Sequence, residues 1–247
     1  MNTLTSLEPF VLAMTRVTVF LVLAPPFSHG GIPMRVRVML GVVLAFASGA
    51  TVQMASADTG QFLGRMVSEA LVGAGLGFVI MLAISAVQVA GRFIDSFGGF
   101  EIGAAFDPMS QTQSGPFGRF YQLLAVVLLF SSDGYQLVIL GVARTFQLLP
   151  LGQGFEVNVL ADVLTNSVGS MMLAALQIAG PLVVVLFLAD VGLGLLTRVA
   201  PALNAFAMGF PLKILIALAL STVAIATMPQ IVEWLVTRGT DQILEIR

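Results

Sequence analysis

The sequence contains no cysteine and a single histidine, His29. The lack of cysteine excludes disulfide bonds, thiolate zinc sites and cysteine nucleophiles. One imidazole, placed in a Ser-His-Gly-Gly turn, offers neither a histidine metal cluster nor a base with an evident partner. We therefore expect no metal, no cofactor and no enzymatic activity.

Charged side chains are also scarce, at 10% of the 247 residues, whereas hydrophobic side chains make up 57%. Soluble domains contain about 25% charged and about 45–50% apolar residues. Such a chain has too few charges to cover a surface exposed to water. Eleven Lys and Arg residues against 13 Asp and Glu residues give a net charge of −2, so we expect no nucleic-acid partner. The composition predicts a membrane protein.

Six long apolar segments are present, at residues 7–27, 36–54, 66–90, 120–142, 168–189 and 212–236. Each has roughly 19–25 residues, the length that a helix needs to cross the hydrocarbon layer. The segments lack the alternation typical of barrel strands. We predict an all-α, polytopic, membrane-associated protein that forms a single domain over residues 1–247.

Several of these segments contain helix-breaking residues. Asp133 and Gly134 divide the fourth segment, Pro181 is expected to interrupt the fifth, and Pro211 is expected to open the sixth. A broken helix in lipid leaves backbone groups without hydrogen-bond partners. We therefore expect either that neighbouring subunits supply these partners or that the chain is not buried in lipid along its whole predicted length.

Two further features lie inside apolar segments. Gly73 and Gly77 fall on one helix face, where they predict close approach of another helix. Arg16 lies in the middle of the first segment, where an unpaired charge costs at least about 2.5 kcal/mol. Its guanidinium is therefore expected to face a carboxylate or another subunit.

The stretch between the third and fourth segments, residues 91–119, is rich in glycine, proline and phenylalanine. Glycine and proline exclude a regular helix over its second half. Residues 110–114 are polar and uncharged, whereas a solvated loop usually contains Lys or Glu. Five phenylalanines from Phe97 to Phe120 argue against disorder. We interpret this loop as a segment that packs against other chains while it contacts water.

Residues that are typical of a known protein family occur through most of the chain, in the same order as in that family. They are Gly91, Ile94, Asp95, Gly99, Phe100, Asp107, Pro108, Phe130, Gly134, Phe146, Pro150, Pro181, Asp190, Gly194, residues 198–201, Asn204, Phe206 and residues 209–213. This pattern resembles the FliR family of flagellar type III export-gate subunits, whose counterpart in virulence systems is SctT. The chain departs from the pattern at Phe97, Tyr135 and Ala202.

The resemblance implies a subunit that assembles with FliP and FliQ at the bacterial inner membrane, in the flagellar basal body. The other implied partners are FlhB, FlhA, membrane lipid and the unfolded flagellar proteins that the channel passes. It also implies that residues 106–121 form a loop that plugs this channel. The plug residues would be Phe106, Asp107, Pro108, Met109, Ser110, Gln111, Gln113 and Phe117.

A second set of residues is implied to serve subunit interfaces or local structure. It comprises Asp95, Gly99, Asp190, Arg198, Pro201, Asn204, Pro211 and Lys213. Local alternatives exist for several of them. Asp95 follows Arg92 by three residues and could pair with it. Asp190 could pair with Arg198, and Lys213 could anchor a helix at the membrane interface.

Three classes of function remain open at this point. One is a structural subunit of a protein-export channel, either flagellar or virulence-linked. Another is a secondary transporter with broken helices around a midplane site. The third, an intramembrane enzyme, is disfavoured because Asp95, Asp133 and Asp190 lack the local motifs of aspartyl proteases.

Overall fold

A computed structural model describes residues 3–28, 30–48, 58–101, 115–152, 157–200 and 205–244. Over these residues the chain forms seven helices and no strand, as the all-α prediction requires. The helices are α1 (Thr3–Leu23), α2 (Met34–Ala47), α3 (Thr59–Gly98), α4 (Pro116–Ser131), α5 (Gly134–Leu148), α6 (Val157–Val199) and α7 (Ala205–Leu244).

Three of the described helices are long and apolar enough to cross a membrane: α3, α6 and the Met208–Leu244 part of α7. A helix of 40 residues such as α3 is about 60 Å long, roughly twice the thickness of the hydrocarbon layer. These helices therefore extend well beyond the apolar segments that the sequence marks, and lipid alone does not account for their length.

The predicted break in the fourth segment is confirmed. Helix α4 ends at Ser131, α5 begins at Gly134, and the two helices meet at 75°. Asp133 adopts a left-handed conformation between them, with φ of 56°. Aspartate is among the few residues other than glycine that enter this region readily.

The interruption expected at Pro181 is absent, because α6 continues through this residue. Likewise, Pro211 does not open α7 but lies inside it, as does Pro229. A proline removes one helical hydrogen bond, while the regular turns on either side keep theirs. Over helices of 43 and 40 residues this local loss does not end the helix.

The chain forms two compact units. The first comprises Met1–Ile84, Leu129–Gly169 and Trp234–Arg247. Its core includes Leu12, Ala13, Ala45 and Leu151, with Phe146 packed against them. Close approach at Gly73 and Gly77 is confirmed there. A Cβ at Gly73 would collide with the carbonyl oxygen of Arg16, and one at Gly77 would lie 2.9 Å from that of Phe20.

The second unit comprises Ser85–Leu128 and Ser170–Glu233. Its buried residues come from α3, α4, α6 and α7, and include Ala90, Ile94, Tyr121, Leu186 and Met228. Within this unit lie the last turns of α3 and the first turns of α4, on either side of residues 102–114.

Candidate functional site

Helix α3 ends in a reversal that is organised by Asp95. Gly99 follows the helix with φ of 79°, a left-handed value that glycine adopts without strain. This reversal brings the backbone nitrogen of Phe100 to within 2.9 Å of the carbonyl oxygen of Asp95, to which it donates a hydrogen bond. The positive φ favours glycine at this position, and the role predicted for Gly99 in the assembly stays a prediction.

The side chain of Asp95 caps the beginning of α4. One carboxylate oxygen accepts a hydrogen bond from the backbone nitrogen of Phe117 at 3.0 Å, and the other accepts one from Gly118 at 2.7 Å. Asp95 is completely buried. The first amides of a helix lack partners within the helix, and the helix dipole favours a negative charge there. Each hydrogen bond to a charged group contributes about 1.5–3 kcal/mol.

Helices α3 and α4 approach closely at this cap because glycine lies on both sides of it. A Cβ at Gly91 would be 2.6 Å from the carbonyl oxygen of Phe117, and one at Gly115 would overlap the side chain of Asp95. Neither position has room for a larger residue. The cap therefore depends on the backbones as well as on the carboxylate.

Aromatic rings cover the same junction. The rings of Phe100 and Phe117 are 5.1 Å apart, and Phe210 of α7 lies 6.4 Å from Phe100. Phe117 also packs edge-on against Tyr121. We name the contacts among Asp95, Phe100, Phe117 and Gly118 the α3–α4 clasp. The clasp joins the two described ends of the chain around residues 102–114.

An ion pair lies in the same unit. The Nζ atom of Lys213 is 2.5 Å from an oxygen of Asp190, and it also donates a hydrogen bond to the carbonyl oxygen of Phe97 at 3.2 Å. Lys213 of α7 therefore reaches both α6 and the last turn of α3. Within the described chain Asp190 pairs with Lys213 rather than with Arg198, and a pairing with Arg198 of another subunit stays a prediction. Arg198 lies in the last turn of α6, where the helix dipole favours a positive charge.

Five of the sequence-predicted site residues come together, in two places. Asp95, Gly99 and Phe117 meet at the clasp, and Asp190 and Lys213 meet in the ion pair. Phe106, Asp107, Pro108, Met109, Ser110, Gln111 and Gln113 lie outside the described residues, as do His29, Pro201 and Asn204. The role of these residues stays a prediction. Phe117, by contrast, is buried in the first turn of α4.

The first unit contains a buried charge network that the sequence indicated only in part. Arg16 donates through Nε to Glu69 at 2.6 Å, so the expected carboxylate is confirmed. Arg16 also donates to the carbonyl oxygen of Leu149 at 2.9 Å and lies over the ring of Phe146. Glu69 in turn accepts from the backbone nitrogen of Gly152. The sequence did not identify Glu69, because a partner 53 residues away leaves no local pattern.

A cavity of about 180 Å³ in this unit is lined almost wholly by apolar side chains, among them Val17, Leu44, Val142 and Phe146. Within the part of the chain that the structure describes, no group of three or more His, Cys, Asp or Glu side chains could hold a metal ion. Three ion pairs, Arg16–Glu69, Arg65–Glu8 and Lys213–Asp190, each join two helices.

Large apolar side chains remain exposed on α6 and α7. In their most apolar stretches only 28% and 17% of the residues, respectively, are buried within the chain, against 61% for α3. Phe187, Leu188, Leu195 and Leu215 are all more than half exposed. Apolar surface on this scale marks contact with lipid or with other proteins.

Comparisons with known proteins identify relatives along nearly the whole chain. Residues 7–239 match the family described as bacterial export proteins, family 1. The chain is 34% identical over 220 residues to the flagellar biosynthetic protein FliR of Bacillus subtilis, covering 87% of this chain and 85% of the relative. FliR of Escherichia coli is 31% identical over 210 residues, covering 84% and 80%. The surface presentation of antigens protein SpaR of Shigella flexneri is 27% identical over 210 residues, covering 81% and 80%.

Proposed function

The chain belongs to family 1 of the bacterial export proteins, and on that premise we propose that it is a subunit of a flagellar type III export gate. In this proposal it forms, with FliP and FliQ, the channel through which unfolded flagellar proteins cross the bacterial inner membrane. FlhA and FlhB would be its neighbours in the export apparatus. The single observation that carries the proposal is the match of residues 7–239 to the family together with the similarity to two FliR proteins.

The exposed apolar surface of α6 and α7 supports an assembled state. These helices are about 60 Å long, so lipid covers only part of their length. The remainder requires protein neighbours, which FliP-like and FliQ-like subunits would supply. The long unbroken helices and the unburied side chains thus fit a subunit that completes its packing by assembly.

We further propose that residues 106–121 close the channel. An ion-tight gate must open for an unfolded chain, so contacts that are weak and easily exchanged suit the task better than strong ion pairs. Met109 is deformable, and the uncharged residues 110–114 exchange hydrogen bonds with water at a net cost near 1 kcal/mol each. The clasp supports this assignment because it holds Phe117 and Gly118, near the end of the segment, as a fixed base for the residues before them.

Similarity to SpaR favours one alternative, a virulence-linked type III gate. The greater identity to the FliR of Bacillus subtilis favours the flagellar system. A small-solute transporter is less well supported. Transport sites need polar groups that converge near the membrane midplane, whereas the described ion pairs join helices and the described cavity is apolar.

Purification of the tagged chain from its native cells tests the proposal. We expect a detergent-stable complex that contains FliP-like and FliQ-like proteins, and we expect loss of flagellar protein secretion when the gene is deleted. Recovery of a stable, monodisperse monomer from cells that secrete normally without the gene would contradict it. Normal motility with lost secretion of virulence proteins would instead identify the virulence-linked alternative.

A further inference from the structure

The described chain on both sides of residues 102–114 meets at one residue, Asp95. Its carbonyl oxygen accepts the amide of Phe100, and its carboxylate accepts the amides of Phe117 and Gly118. One buried residue therefore contacts both ends, through its backbone at the end of α3 and through its side chain at the beginning of α4. Short-range contacts hold these two helix ends together.

Three independent features resist separation of the clasp. Withdrawing α4 would leave a buried carboxylate without the amides that stabilise its charge. It would also break the close backbone contact at Gly91 and separate the rings of Phe100 and Phe117, which are in contact at a tilt of 58°. Lys213 adds a link from α7 to the carbonyl oxygen of Phe97, in the last turn of α3. The contacts of the Asp95 carboxylate, by comparison, are buried.

We propose that α3 and α4 stay joined at the clasp throughout export, with Asp95 as the residue that positions the first turn of α4 against the end of α3. This inference rests on the proposed function as an export-gate subunit. The channel then opens by movement elsewhere, and the clasp acts as a fixed base. The competing mechanism is that passage of a substrate parts α3 from α4 at this point.

The absence of native cysteine allows a direct test by cross-linking. Phe100→Cys and Phe117→Cys together place two thiols where the rings now meet. A short, reversible bis-thiosulfonate reagent then bridges the ends of the two helices in the assembled gate. The measurement is the rate of flagellar protein secretion from the bridged gate, relative to the same variant after reduction. Each single-cysteine variant, treated with the same reagent, controls for modification alone.

We expect the bridged and reduced gates to secrete at rates within twofold of each other. A tenfold or greater loss on bridging, restored by reduction and absent from the single-cysteine controls, would overturn the proposal. Failure of the proposed function looks different, because deletion of the whole chain would then leave secretion unchanged.

Substitutions at Asp95 test the positioning role separately. Asp95→Asn keeps one oxygen that can accept an amide, so it should retain more secretion than Asp95→Ala. Bridging the cysteine pair should restore at least half of the secretion that Asp95→Ala loses. Equal secretion by the Asn and Ala variants, or no rescue by the bridge, would contradict a positioning role. If the cysteine pair does not assemble, the order of the Asn and Ala variants alone decides the matter.

Discussion

The carboxylate of Asp95 lies 2.7 Å from the backbone nitrogen of Gly118, which is 23 residues further along the chain. This contact makes the end of one helix the cap of the next. It requires a short side chain at 95 and no side chain at 91, because the backbone of α4 passes within contact distance of α3. Asp95 and Gly118 thus hold the end of α3 and the beginning of α4 together, at the base of the segment that is proposed to close the channel.

Gly91→Ala should lower the thermal stability of the assembled gate, because the added methyl group would lie 2.6 Å from the carbonyl oxygen of Phe117. Overpacking of this kind costs about 1–3 kcal/mol. The measurement is the temperature at which half of the purified complex is lost. Gly192→Ala is the matched control, since a Cβ at that helical glycine meets nothing within 4 Å of the chain. Equal loss of stability in both variants would refute the close approach of α3 and α4.

Arg16→Met should be strongly destabilising, because it leaves Glu69 buried without its cation. Breaking one partner of a buried pair costs about 3–5 kcal/mol, whereas replacing both by apolar residues is often neutral. We therefore expect Arg16→Met with Glu69→Leu to recover most of the stability that either single change loses. The readout is the yield of folded protein across the double-mutant cycle. Additive losses would show that the two residues act independently.

The pair formed by Arg65 and Glu8 provides a comparison for Arg16 and Glu69. Its bond is similar, at 2.8 Å, but the Arg65 side chain is 25% exposed. Glu8 is only 9% exposed, so the pair is part-buried. Because water reaches Arg65, its loss should cost more than that of an exposed pair, at about 0–1 kcal/mol, and less than that of a fully buried one, at about 3–5 kcal/mol. Arg65→Met should accordingly change the yield of folded protein much less than Arg16→Met. A larger loss at Arg65 would contradict the assignment of Arg16 and Glu69 as the main charge network of this unit.

Lys213→Met should reduce complex yield more than Asp190→Asn does. Lys213 contacts both Asp190 and the carbonyl oxygen of Phe97, whereas Asp190 is 46% exposed and is stabilised by water without its partner. Quantification of co-purified partner subunits from cells that express each variant measures the difference. The reverse order of yields would show that the carboxylate, rather than the bridge to α3, is the important group.

Sequence reasoning succeeded where the signal is local. The break at Asp133 was predictable because an aspartate–glycine pair inside an apolar run has few other uses, and the close helix approach at Gly73 followed from helical spacing. Arg16 required a partner on energetic grounds alone. In each case one residue and its immediate neighbours carry the physical constraint.

The remaining features depend on contacts across the fold. Asp95 was expected to pair with Arg92 or to contact another subunit. The contact with α4 was missed because nothing near Asp95 in the sequence shows that α4 begins against its carboxylate. The partner of Lys213 lies on another helix, at Asp190. Pro181 was given too much weight, because the local cost of a proline does not reveal how much regular helix surrounds it.

Arg198→Ala should lower the yield of assembled gate without changing which proteins the remaining gates export. Arg198 lies in the last turn of α6, where a cation interacts favourably with the helix dipole by about 0.3–1 kcal/mol. Such a contribution affects helix stability rather than substrate choice. Partner yield and the profile of secreted proteins are measured in parallel. Normal yield with an altered profile would contradict this structural role.

The central claim is that this chain forms part of an export channel and supplies the segment that closes it. The most direct measurement is ion conductance or solute uptake in cells that contain the assembled gate but no export substrate. Deletion of residues 107–113 spares the clasp, so assembly should be normal while the membrane becomes leaky, and Met109→Ala should leak less. A deletion variant that assembles normally and stays as tight as the wild type would contradict the account.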